Sequence, residues 1–145
     1  MKKRGRIAVL FTTFLVGCAG SPPSTLGLHN NRLAPCPDTP NCVCSQYGTE
    51  EHAIAPLFYE GERSIAREKL LSILNSEERV KIVSKEDGYI HAEFTSLIFR
   101  FVDDVEFYLP TDQTVVHVRS ASRIGHSDFG VNRKRVEHLR DLFRQ

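Results

Sequence analysis

Between Val80 and Ser120 the sequence alternates apolar and polar residues and is broken only by short turns, and this pattern limits the fold more than any other. Successive side chains of a strand point to opposite faces, so a period of two predicts a sheet with one buried face. Glu86-Asp87-Gly88 and Pro110-Thr111-Asp112 predict the turns. We expect about four antiparallel strands, drawn from the stretches 80–84, 89–95, 97–101, 105–109 and 114–120.

Two amphipathic segments flank this region. Ser64 is suited to cap a helix that runs to about Asn75, and a second helix is expected from about Asn132. Their apolar faces carry Ala66, Leu70, Ile73 and Leu74 in the first helix, and Val136, Leu139 and Phe143 in the second. A chain of 145 residues has room for one core. The sequence therefore predicts a single small α+β domain, with one helix before the sheet and one after it.

The first 17 residues have the pattern of a signal peptide. Lys2, Lys3, Arg4 and Arg6 form a basic start, and the apolar stretch 7–16 is too short to span a bilayer. Leu15-Val16-Gly17-Cys18 resembles a bacterial lipobox, in which the cysteine is acylated and becomes the first residue. The alternative is an ordinary secretory peptide, but charge, apolar length and ending all agree with lipidation at Cys18. Ala19, where an Asp would favour the inner membrane, favours the outer membrane facing the periplasm if the host is Gram-negative.

Removing this leader changes the charge balance. The whole chain has 19 Lys and Arg against 18 Asp and Glu, and four of the basic residues lie in the leader. The remaining chain is therefore mildly acidic, which argues against a nucleic-acid partner. Residues 18–34 are rich in Gly, Ser, Pro and Asn and predict a flexible tether, with the domain at 35–145.

Three cysteines follow the lipidation site. Cys36 and Cys42 bracket a turn-rich segment whose ends can meet, so they are candidates for a disulfide, which an extracytoplasmic compartment permits. Cys44 is left over. A zinc site of three cysteines and a histidine is the rival interpretation, but it lacks a C-x₂-C pair, and no histidine lies between His29 and His52. We expect a structural disulfide and no metal.

The connection between the last strand and the last helix is rich in arginine and serine. Helix N-termini favour anions through unpaired N–H groups and the helix dipole. An anion-binding site is therefore one hypothesis, with the candidates Arg119, Ser120, Ser122, Arg123, Asn132 and Arg133. The favoured alternative is a structural lock, in which the arginines pair internally with carboxylates and fix the loop. The lock candidates are Asp103, Asp104 and Asp128.

Catalytic interpretations rest on fewer residues. Asp103 and Asp104 could form an acid–base pair or hold a cation, but neighbours on a strand point to opposite faces, and a turn is the expected setting. Ser122, Ser127, His117 and His126 supply residue types of a hydrolase triad, yet residues 125–130 do not match G-x-S-x-G. The histidines lack metal-ligand spacing, and no phosphate-binding loop is present in the sequence. We expect no cofactor.

Three segments carry a family resemblance. They are Cys36-Pro37 with Pro40-Asn41-Cys42-Val43, then Asp103-Asp104-Val105-Glu106, and then the spaced motif from Arg119-Ser120 through Gly125, Ser127-Asp128, Gly130 and Asn132 to Arg135. Together they resemble the family called domain of unknown function 1499, over about residues 33–145. The family pattern usually has a serine at the position of Cys44. Because the family is functionally uncharacterised, the resemblance implies a domain boundary and a motif but no reaction.

These observations predict a lipid-anchored cell-envelope protein that binds a partner or has a structural role and does not catalyse a reaction. Its expected partners are the membrane, through the N-terminal lipid, and an anionic envelope ligand or an envelope protein. The alternative is an envelope hydrolase or transferase that uses Asp and His residues near the motif at 119–135.

Overall fold

The computed structural model describes residues 20–145, so the expected signal peptide at 1–17 and the lipidation site at Cys18 lie outside the described residues. The elements in chain order are β1 (Cys42–Cys44), β2 (Leu57–Phe58), α1 (Arg63–Ser76), β3 (Val80–Lys85), β4 (Tyr89–Thr95), β5 (Val102–Tyr108), β6 (Val115–Ser122) and α2 (Val131–Arg144). The prediction of a small domain with two helices and an antiparallel sheet is confirmed.

The sheet has six strands in place of the expected four. Strands β3 to β6 form an antiparallel meander, and β1 and β2 both pair with the other edge of β6. Cys42 lies opposite Ala121, and Leu57 lies opposite Val116. The two added strands have three and two residues, which is too short for an alternating pattern to reveal them.

The core lies between the two helices and one face of the sheet. Ile90 and Phe107 are neighbours across β4 and β5, and both are fully buried in a cluster with Leu70 of α1 and Leu139 of α2. Burial of such a side chain contributes about 1.5–3 kcal/mol each to folding. Helix α1 begins at Arg63 with Glu62 at its N-cap, so the cap expected at Ser64 is wrong by two positions.

One strand prediction and one turn prediction are corrected. The strand expected at 97–101 is a tight connection between β4 and β5, because Ser96 and Phe101 close it with two hydrogen bonds of 2.8 Å, and Arg100 has a left-handed φ of 57°. The alternation of Leu97, Phe99 and Phe101 imitated a strand. Conversely, the turn expected at Asp103-Asp104 lies inside β5.

Residues 20–37, which we call the strap, lie against the sheet face opposite the helices. Leu33 is 1% exposed and packs with Cys44 and Tyr89, and its N–H donates to Gln46 Oε1 at 2.8 Å. This differs from the flexible tether expected over 18–34, as far as the described residues 20–34 are concerned. The apolar residues of the strap that pack here, such as Leu28 and Leu33, have no helical or strand periodicity, so the sequence pattern did not reveal the contact.

The expected disulfide is present. Cys36 and Cys42 are bonded with an S–S distance of 2.07 Å, which joins the strap to β1. Cys44 is free and buried on the strap face of the sheet. Burial raises the pKa of the Cys44 thiol, which suppresses the reactive thiolate form.

Candidate functional site

The motif that begins in β6 is divided between the two faces of the sheet. Ser120 and Ser122 face α2, whereas Arg119 and Arg123 face the strap. This division follows from strand geometry, since alternate residues point to opposite faces. The residues of the expected anion site are therefore brought to two separate places. Each of the two sets forms its own hydrogen-bond network.

On the strap face, Arg123 is held by carboxylates from two other strands. Its Nε donates to Asp104 Oδ2 at 2.8 Å and its Nη2 to Asp104 Oδ1 at 2.7 Å, a two-pronged contact with β5. Nη2 also pairs with Glu93 of β4. His91 lies at 2.7 Å from the same Asp104 through its Nε2. Asp104 is only 1% exposed, so this is a buried ion network.

The network sets the protonation states of both partners. Burial alone would favour the neutral form of Asp104, but the hydrogen bonds from Arg123 and His91 outweigh it and hold the pKa of this carboxyl below its usual range. The hydrogen bond to Asp104 raises the pKa of Arg123 further above its ordinary value, against the opposing effect of burial. Both groups are therefore ionised at neutral pH, and each neutralises the other.

Glu106 is the second centre of the strap face, and it is fully buried. Its Oε2 accepts from Arg119 Nη1 at 3.1 Å, and its Oε1 accepts from the Tyr89 hydroxyl at 2.8 Å. The backbone N–H of Gly27 in the strap donates to the same Oε1 at 2.8 Å. Burial, and then the charge of Glu106, raise the pKa of Tyr89, so its hydroxyl stays protonated and remains a donor. The carboxylate thus ties the strap to the centre of the sheet.

A cavity of about 430 Å³ lies between the strap and the end of β6. It is lined by Pro23, Thr25 and Cys36 of the strap and by Arg119 and Arg123 of the motif. The Nε of Arg119 is buried and has no hydrogen-bond partner among residues 20–145. A buried donor without a partner is uncommon in folded proteins.

On the helix face, Asn132 is fully buried at the start of α2. Its Nδ2 donates to the Asn41 carbonyl at 3.0 Å and to Ser122 Oγ at 2.9 Å, and its Oδ1 accepts from Ser120. One side chain therefore joins α2, β6 and the segment before β1. Asn41, which precedes the disulfide half Cys42, completes this junction.

Arg135 continues the helix-face network. It pairs with Asp103 of β5, donates to Asn132 Oδ1 at 2.7 Å, and lies over the Phe94 ring at 4.9 Å from its centroid. The two neighbouring aspartates thus serve different networks on opposite faces. They cannot share a proton as an acid–base pair.

The other two candidates have structural contacts. Asp128 accepts from the N–H of Gly130 at 2.9 Å and of Asn132 at 2.7 Å, which satisfies free donors at the start of α2. Arg133 donates to the carbonyls of Ala53 and Glu51 at 2.9 and 2.8 Å and so fastens the segment between β1 and β2 to α2. Neither is directed into the cavity at the strap.

Sequence reasoning missed several partners in these networks. Tyr89, His91 and Glu93 alternate with the apolar residues of β4, a pattern that predicts a solvent-exposed face. That face is instead covered by the strap, and its polar side chains are paired with other side chains. Arg135 stood out in the sequence only as the last residue of the family motif, with no partner assigned to it. Their cross-strand partners lie 13 to 32 positions away, a separation that no local pattern reveals.

The described residues near the motif at 119–135 do not form a hydrolase triad. His126 is exposed and makes no hydrogen bond within residues 20–145, while the carboxylate of Asp128 is committed to the start of α2. Within the same residues no cluster of three metal-ligating side chains occurs, and neither helix is long and apolar enough to cross a membrane. The arrangement is a small α+β domain stabilised by two polar networks.

A family model matches residues 32–143, which is most of the chain. Its description is "Protein of unknown function (DUF1499)", and the chain belongs to this family. No curated protein and no solved structure matches the chain significantly. Both networks, the disulfide and Leu33 of the strap lie within the matched region, whereas Gly27 and the first part of the strap precede it.

Proposed function

We propose that this chain is a lipid-anchored, non-catalytic protein of the bacterial cell envelope, whose strap holds the folded domain close to the acylated Cys18. The observation that carries this proposal is the contact of the strap with the buried network, through Gly27 and Glu106. Because the strap is bonded to the sheet, the domain stays at a short distance from the lipid on Cys18. The role is structural or partner-binding, at the outer membrane facing the periplasm if the host is Gram-negative.

The charges of the strap face support a structural lock over an anion site. Two guanidinium groups, Arg119 and Arg123, meet three carboxylates there, Glu93, Asp104 and Glu106. Both guanidinium groups are already paired with these carboxylates, so a further anion would have to compete with them.

One observation favours anion binding as a second candidate function. Arg119 lines the cavity of about 430 Å³, and its buried Nε has no hydrogen-bond partner among residues 20–145. A carboxylate or phosphate group that accepted from this Nε would raise the melting temperature of the wild-type protein. An Arg119→Lys variant, which keeps the charge but lacks that donor, would not respond. No shift with inorganic phosphate, acetate or sugar acids would exclude small anions of these kinds.

A hydrolase or transferase has the least support. Asp128 is engaged at the helix start, and the His91–Asp104 pair is buried beneath the strap. For either to act on a substrate, the strap or the helix start would have to open.

The proposal is tested by expressing the full chain in a Gram-negative host and determining the mass of its N-terminal peptide. We expect a processed chain that begins at an acylated Cys18 and sediments with the membrane. The matched control is Cys18→Ser, which we expect to remain unprocessed and unacylated. A wild-type chain with an unmodified Cys18, or one cleaved at another residue, would contradict lipid anchoring.

A further inference from the structure

The connection between β4 and β5 projects an apolar tip into solvent. Leu97, Ile98 and Phe99 are 68, 78 and 67% exposed. The two hydrogen bonds between Ser96 and Phe101 hold the loop closed, so these side chains are kept outside the core. The rings of Phe99 and Phe101 stack with centroids 5.5 Å apart. Soluble domains rarely expose so many contiguous large apolar side chains without a binding role.

More apolar side chains lie at the same end of the sheet. Ser122 at the end of β6 is paired with Asp103 at the start of β5, so the connection from β6 to α2 emerges beside the apolar tip. Phe129 in that connection is 89% exposed, and Val131 is 45% exposed. Nine large hydrophobic side chains are exposed among residues 20–145, and six of them lie at this end. We call these six the apolar end: Leu97, Ile98, Phe99, Phe101, Phe129 and Val131.

The opposite end of the sheet has fewer exposed apolar side chains. Its turns contain Glu86, Asp87 and Asp112, and one of its few exposed apolar residues is Phe58 of β2, which pairs with the first residue of β6. The exposed apolar side chains are therefore concentrated at one end. The two ends of the sheet therefore differ in how much apolar surface they expose to solvent.

The strap brings the N-terminal side of the chain to the apolar end. Gly20 packs against Arg123 and Ile124, so closely that a Cβ on Gly20 would be 3.0 Å from a side-chain carbon of each. Both residues directly follow β6. Cys18 precedes Gly20 by two residues, which can span at most about 7 Å. An acyl chain on Cys18 would therefore enter the bilayer beside this end and not beside the opposite one.

We propose that the apolar end docks on the membrane and inserts its aromatic and aliphatic side chains into the leaflet that holds the acyl chains of Cys18. The inference rests on the proposed lipid anchor, which supplies the stable attachment, while the apolar end fixes the orientation of the domain. Aromatic and aliphatic side chains partition into the interfacial region of a bilayer, and an acyl anchor nearby removes the entropic cost of a separate encounter. The occupant of this surface is a lipid bilayer.

The chain contains no Trp, which makes a direct test available. A Phe99→Trp variant places a single fluorophore in the apolar end, and a Phe58→Trp variant places one at the opposite end, with a similar starting exposure of 64%. Each acylated full chain is reconstituted in vesicles of phosphatidylethanolamine and phosphatidylglycerol, with and without phospholipid brominated along its acyl chains. Bromine quenches only a fluorophore that lies within the bilayer.

We expect blue-shifted emission and loss of most intensity with brominated lipid for Phe99→Trp, and neither change for Phe58→Trp. Equal quenching of the two variants would contradict an oriented domain. Unquenched emission from both would show that the apolar end faces away from the bilayer. A blue shift without quenching would show that another protein, such as a second copy of this chain, covers the surface. Each of these three results overturns the proposal.

The acylation state of Cys18 is measured on the same samples, so a failure of the lipid-anchor proposal can be distinguished from a failure of the membrane-docking proposal. If Cys18 carries no lipid, the anchor proposal fails, and Cys18 is then coupled to a maleimide lipid in the vesicles. Cys44 is buried and the other two cysteines are bonded, so Cys18 is the reactive thiol of the processed chain. The quenching comparison then decides membrane docking without the natural acyl chain.

Discussion

The backbone N–H of Gly27 donates to the carboxylate of Glu106 at 2.8 Å, across 79 positions of the sequence. Arg119 of β6 and Tyr89 of β4 bind the same carboxylate, so the strap is bonded to a group that these two strands also contact. This contact makes the residues that follow the expected lipid part of the fold. It also gives the arginines of the motif a structural role.

Removal of Arg123 tests the buried network. Arg123→Ala leaves Asp104 and Glu93 without their main cation, and loss of one partner of a buried pair destabilises a protein by about 3–5 kcal/mol. We expect a loss of this size in the free energy of unfolding by urea at neutral pH. The matched control is Arg144→Ala, whose exposed side chain should contribute less than about 0.5 kcal/mol. Equal stability of the two variants would exclude the lock.

Acid should weaken the same network. The pKa of Asp104 is lowered in the folded state, so the unfolded chain binds a proton more readily as pH falls. Its contribution is therefore complete above the ordinary Asp pKa of about 3.9 and is lost as pH falls from there through the lowered value. We expect the urea midpoint to fall steeply below about pH 4, and less steeply in Asp104→Asn. Identical slopes for the two proteins would contradict this assignment.

The disulfide should stabilise the domain modestly because it closes a short loop. Cys36 and Cys42 are six positions apart, and the loop-entropy relation gives about 2 kcal/mol for a ring of this size. We expect a double Cys36→Ser, Cys42→Ser variant to lose this amount in urea unfolding. In the folded wild-type protein, Cys44 should react with a thiol reagent only after denaturation. Fast labelling of native Cys44 would contradict its burial.

Replacement of Asp128 tests whether this residue stabilises the start of α2 or serves catalysis. Asp128→Ala removes the acceptor of two N–H groups at the start of α2, which costs about 1 kcal/mol of stability. Asp141→Ala, on the exposed surface of the same helix, is the control and should change stability by less than about 0.5 kcal/mol. A destabilisation confined to Asp128→Ala is the expected result. An unchanged stability would remove the structural explanation for this residue.

The sequence predicted the elements whose pattern is local. The two helices and the alternation of β4 around Ile90 and Ala92 follow from side-chain periodicity. The hairpin at Leu97 to Arg100 was mistaken for a strand, because exposed apolar residues at alternate positions have the same signature as a buried face. Exposure, and not periodicity, distinguishes the two cases.

The polar networks required tertiary information. Asp104 is bonded to His91 of β4 and to Arg123 after β6, and Arg123 is also bonded to Glu93 of β4, so only the sheet register brings these residues together. The strap was hidden for the same reason, since the partners of Gly27 and Leu33 are distant in sequence. Asp103, Asp104 and Asp128 were predicted as acidic members of a lock, whereas Glu93 was not, and the assignment of Asp103 and Asp104 to opposite faces depends on β5 being a strand.

Hydrogen exchange of residues 20–34 in the wild-type acylated protein tests the strap most directly. If the strap is packed on the sheet, the Gly27 and Leu33 amides, which are bonded to Glu106 and Gln46, exchange slowly beside rapidly exchanging unbonded neighbours. Exchange of both amides at the rate of an unstructured peptide, with the sheet still protected, would contradict this packing and restore a flexible tether.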